Sequence, residues 1–159
     1  MTDTARIDTA QVDTALINTD RLMGLWATPP ADDVAALAAI RALYTDPVQI
    51  NGATMTALDL LARVRGMQRS YSGLRHELLE RVDAPGMLVV AFRLRGTHTG
   101  PLATPFGELA PTGRPFEVRV IDVLTLTDGR ISAVTMVADE LGQLAGLGAL
   151  RPAWPPTSP

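Results

Sequence analysis

Residues Gly113–Leu147 read GRPFEVRVIDVLTLTDGRISAVTMVADELGQLAGL. Phe116, Val118, Val120, Leu124 and Leu126 fall on every second position, with Glu117, Arg119 and Thr125 between them. That alternation predicts a long β-strand with one apolar face. Asp128-Gly129 is a favoured two-residue hairpin turn, so a second strand follows from Ile131. Asp139 then stands where that strand gives way to a short closing helix. One residue interrupts the apolar face, Asp122. Desolvating an ionised carboxylate is costly, so an acid there is either a structural hydrogen-bond anchor or a tuned catalytic group.

Working back from this hairpin, Met87–Thr99 predicts another long strand, with Val90, Phe92, Leu94, Gly96 and His98 on one face and Arg93, Arg95 and Thr97 on the other. A strand also begins at Leu74 and carries His76 and Leu78 on its apolar phase, ending in the turn Asp83–Gly86. Residues 100–112, rich in Pro, Gly and Thr, read as a loop at the rim of a pocket.

The first half is helical. Asn18 or Thr19 caps a short helix that Pro29-Pro30 stops, and Asp32 or Asp33 opens a second that Tyr44–Pro47 ends. Val48–Ile50 is a short strand leading to the Asn51-Gly52 turn. Thr54 or Thr56 then caps a third helix with Leu58, Leu61, Val64 and Met67 as its apolar stripe. Helices followed by long antiparallel strands argue for an α+β fold: a cone-shaped, curved, mostly antiparallel sheet with the N-terminal helices packed across its concave face.

The expected organisation is one domain over residues 18–150, flanked by an arm at 1–17 and a Pro-rich tail at 151–159. The arm repeats five residues, Asp3–Ile7, Asp8–Val12 and Asp13–Ile17, a period that matches neither helix nor strand. Hydrophobic content of 47%, charged content of 19% and a net charge of −3 describe an ordinary globular protein with no electrostatic reason to bind nucleic acid or an anionic membrane. No apolar run approaches the roughly 20 residues of a membrane span, and the start of the chain has no signal-peptide core, which gives a cytoplasmic expectation. With no cysteine there is no catalytic thiol. The two histidines lack metal-ligand spacing, so no metal is expected, and there is neither a phosphate loop nor a dinucleotide fingerprint for a cofactor.

GTHTGPL at 96–102, PTGRPFE at 111–117, VIDVLTLTDGRI at 120–131 and ADELGQLAGLG at 138–148 together resemble the SnoaL-like polyketide cyclases, of the nuclear transport factor 2-like and ketosteroid-isomerase-like superfamily. The resemblance implies a cone-shaped barrel, dimeric through its sheet, without a cofactor. It also implies an acid/base pair for intramolecular aldol closure, which by position falls on Asp122 and His98. Where family members often carry Glu and Trp after the hairpin turn, this chain has Ala133 and Thr135, a change expected to reshape the pocket.

Several residues therefore enter as candidates. Asp122 is the general base or acid and His98 its partner, with His76 and Asp139 as additional acid/base groups. Trp26, Tyr44, Asn51, Phe92, Leu94, Val120 and Met136 are expected to line a pocket for an apolar small molecule. Two rival readings stand beside the cyclase: epoxide opening or hydration on the same scaffold, in which Asp139 or Glu140 joins Asp122, and a non-catalytic binding module.

Overall fold

A computed structural model describes residues 17–150. Four helices and a six-stranded curved sheet form the α+β cone expected from the sequence. The five-residue repeat up to position 16 and the tail from 151, with Trp154, lie outside the described residues. Ile17, assigned to the arm, is instead 5% exposed and part of the core.

Helix α1 (Thr19–Ala27) starts at Asn18, whose side chain accepts from Arg21 N at 2.8 Å. Helix α2 (Asp33–Leu43) is capped by Asp32, which accepts from Val34 N and Ala35 N. Helix α3 (Ala57–Ser70) opens with a reciprocal box between Thr56 and Asp59. Its buried stripe is Ala57, Leu60, Leu61 and Val64, whereas Leu58 is 62% exposed. The spacing of Leu58, Leu61 and Val64 is helical, but the helix is rotated so that Leu60 meets the sheet.

Strand β1 (Tyr44–Ile50) begins directly at the end of α2, four residues earlier than expected. Ala53–Met55 is a short strand, β2, that hairpins onto β1. The long strands are β3 (Tyr71–Ala84), β4 (Met87–His98), β7 (Pro115–Thr127) and β8 (Arg130–Ala138). The loop at 100–112 contains a two-stranded ribbon, β5 (Leu102–Thr104) with β6 (Gly107–Leu109). Helix α4 (Glu140–Gly146) closes the chain.

The main sheet runs β2-β1-β8-β7-β4-β3, antiparallel except for the parallel β1–β8 pair. Asp128 (φ 49) and Gly129 (φ 72) both adopt positive φ at the β7–β8 turn, the geometry that matches the twist of the strands it joins. Leu88, Val90, Phe92 and Leu94 of β4, with Phe116, Val118, Val120 and Leu124 of β7, form the buried concave face against which the helices pack.

Candidate active site

Asp122 sits on the concave face as expected, cross-strand from Val90 on β4 and from Met136 on β8. Its Oδ1 is buried and has no hydrogen-bond partner among the described residues. Burial pushes its carboxyl up to about 6, because the charged form has lost water without gaining a donor. It is therefore not the structural anchor allowed by the sequence.

Tyr44 and Trp26 line the same interior. Trp26 Nε1 donates to the Tyr44 hydroxyl at 3.1 Å. Burial, with a smaller contribution from the Asp122 charge, raises the Tyr44 phenol well above its ordinary value despite the opposing Trp26 bond. Tyr44 therefore stays a protonated O–H donor. Both aromatics were expected as lining, but their mutual bond is a tertiary contact that spacing does not reveal.

His98 is fully buried, yet it does not meet Asp122. It stands eight residues beyond Val90 along β4, roughly 26 Å of extended strand. Its Nδ1 accepts from Thr112 N at 3.2 Å and lies 3.1 Å from Thr112 Oγ1, while Nε2 has no partner among the described residues. Tyr71 lies beside it at a ring-centroid distance of 5.8 Å, and Phe116 packs in turn on Tyr71 at 4.3 Å. The expected Asp122–His98 pair is thus replaced by an anchor for the loop that ends at Thr112.

The surrounding motif has the same character. A Cβ on Gly100 would fall 1.9 Å from Arg69 O, and one on Gly96 would lie 2.9 Å from both the Phe116 ring and Ser72 O. Thr99 N and Gly100 N both donate to Ser70 O. GTHTG is the corner where β4 crosses the α3–β3 junction, too close for side chains.

His76 lies half-buried on the concave phase, cross-strand from Leu94 and with its ring 5.5 Å from Phe92. Its Nδ1 is buried without a partner, and burial lowers the imidazole to about 4. Phe92, Leu94 and Val120 are buried on this face and Met136 is half-buried. Asn51 is not lining: it is exposed, and its amide is committed to the Met136 backbone, accepting from Met136 N at 2.8 Å and donating to Met136 O at 3.1 Å. Asp139 is exposed and caps α4 by accepting from Gly142 N at 2.9 Å. Glu140 is exposed in the first turn of α4. Ala133 and Thr135 pair with Thr125 and Val123 on the outer face, so they do not reshape the interior. Among the described residues no group of three His, Cys, Asp or Glu side chains could hold a metal ion, and no helix is long and apolar enough to cross a membrane.

The structure thus places a half-buried acid, pushed up by burial, on the concave face of an α+β cone. The SnoaL-like polyketide cyclase family model matches residues 20–147, and the chain belongs to that family. TsrD from Streptomyces laurentii is similar in structure (TM-score 0.70, 19% identity) over 93% of this chain and 100% of that one. IdmH from Streptomyces antibioticus matches with TM-score 0.62 and 22% identity over 82% of this chain and 97% of its own. A SnoaL-like polyketide cyclase from Agrobacterium tumefaciens matches with TM-score 0.62 and 16% identity over 78% and 89%. At these identities the likeness is one of fold. A search of curated proteins finds no match.

Proposed function

We propose that this protein is a cofactor-independent acid/base enzyme that closes a ring, or moves a double bond, in a bulky carbonyl-bearing intermediate. The single observation that supports the reading is the half-buried Asp122 carboxyl, whose buried Oδ1 has no partner among the described residues and which burial raises to about 6. In the aldol form, Asp122 takes the proton from carbon alpha to a carbonyl and the resulting enolate carbon attacks a second carbonyl. The new alkoxide then recovers the proton from Asp122, so the reaction is a net isomerisation that needs no co-reactant. The Tyr44 O–H, held by Trp26 Nε1, is suited to stabilise the oxygen on which charge develops. Family membership supports the same class of chemistry. Epoxide opening by two acids is less favoured, because Asp139 is exposed and engaged as a cap.

The reading extends to assembly. Ile121 (51% exposed), Val137 (67%), Val82 (59%) and Met87 (41%) lie on the outer face of the sheet, suited to pack against a second copy.

The test is turnover of a panel of polyaromatic keto-esters, enones and epoxides by wild type and Asp122→Asn, with binding followed in parallel. Turnover lost in Asp122→Asn with binding retained is the expected result. Tight binding with no turnover by either protein would replace the enzyme with a receptor.

A further inference from the structure

We infer that His76 is a second ligand-contacting residue, which reads a neutral hydroxyl or carbonyl at the far end of the molecule whose reacting carbon lies at Asp122. The inference rests on the acid/base reading of Asp122 given above. Its starting point is an unsatisfied atom. A buried imidazole nitrogen without a partner is costly, and leucine at this place would remove the cost. Nδ1 of His76 nonetheless has no partner among the described residues, although the ring is packed against Phe92 at 5.5 Å.

The strand register relates the two orphaned groups. His76 lies opposite Leu94, and Asp122 lies opposite Val90, four residues along β4 on the same concave phase. Two strand spacings across and four residues along put their Cα atoms roughly 16 Å apart. The positions between them on this face carry Phe92, Leu94, Val118 and Val120, buried and apolar, and Leu78, which is 45% exposed on β3. This face is thus apolar, with a carboxylate at one station and an imidazole at another, a spacing that suits a flat hydrophobic body bearing one polar function at each end. Burial keeps His76 neutral near physiological pH, with one N–H and one lone pair to offer. Such a group complements a hydroxyl or a carbonyl and gives a carboxylate no ion pair.

The experiment uses the full chain with Trp154→Phe, which leaves Trp26 as the fluorescent reporter. Anthraquinone, 2-hydroxyanthraquinone and anthraquinone-2-carboxylate are titrated against this protein and against His76→Leu, His76→Gln and Asp122→Asn in its background. One hydrogen bond on this face should make the hydroxy compound bind about fivefold tighter than the parent quinone. His76→Leu should abolish that preference, His76→Gln should keep most of it, and Asp122→Asn should leave it intact. Thermal melts establish that each variant is folded. An unchanged preference in His76→Leu, tightest binding by the carboxylate, or no binding by any of the three quinones overturns the assignment. If the His76-dependent preference holds while Asp122→Asn leaves turnover unaltered, the acid/base reading fails and the His76 contact stands.

Discussion

At the scale of single residues, Asp122 and His76 oppose each other in the pH dependence of stability. Asp122 has a folded value near 6, above its ordinary 3.8, so its folded form binds the proton more tightly. Stability from this group is full below about pH 4 and is lost as pH rises through 6, by roughly 3 kcal/mol at neutral pH. His76 has a folded value near 4, below its ordinary 6.5, so its contribution is present above 6.5 and is lost as pH falls through 4. Wild type should therefore show a nearly flat melting temperature between pH 4 and 6.5. Asp122→Asn should gain about 1–3 kcal/mol at pH 8, with the gain vanishing near pH 4, as measured by denaturation across the range. If the Asp122→Asn gain is independent of pH, the carboxyl is not raised. Under the base reading, wild-type turnover should also rise with pH through about 6.

At the scale of elements, capping and anchoring account for residues whose chemistry looked catalytic. Asp139 is an acid next to the Asp122 strand, but its Oδ1 is bonded to Gly142 N. Asp139→Ala should cost about 1 kcal/mol in thermal stability with unaltered turnover, and a large loss of turnover would restore the two-acid mechanism. His98 anchors the segment ending at Thr112. His98→Ala should speed amide exchange at Thr112 and Gly113 and lower stability by about 2–4 kcal/mol, because it leaves a cavity as well as an unpaired N–H. Protected exchange in that variant would show that the loop is held elsewhere. The cap role of Asp139 is legible in its place where the last strand becomes the closing helix, whereas the bond between His98 and Thr112 is not. GTHTG stands out as a motif, but its glycines serve a close chain crossing at Arg69 and Ser72 and its histidine holds Thr112, and a sequence does not show which segments approach within van der Waals distance.

At the scale of the whole molecule, the outer face of the sheet is divided. Near the β7 start, Arg93 and Arg95 form ion pairs with Glu77 and Glu117. Towards its far end Ile121, Val137, Val82 and Met87 leave an apolar patch. Light scattering coupled to size exclusion should give a dimer for wild type, and Ile121→Lys with Val137→Glu should give a folded monomer. A monomeric wild type would leave the patch for another partner. Ala133 and Thr135 belong to this outer face, so their departure from the family pattern bears on that surface and not on the concave face.

The sequence by itself determined the α+β class, the long strands and their faces, the β7–β8 turn and the place of Asp122. These are set by short-range periodicity and local turn chemistry, which the order of residues carries directly. The tertiary structure decided which polar groups meet: Trp26 with Tyr44, His98 with Thr112 and Asn51 with Met136, while Asp122 Oδ1 and His76 Nδ1 meet no partner among the described residues. Residues on one strand face share a phase whatever their distance apart. Whether they touch depends on the register between strands, and that is settled only when the sheet closes over its core.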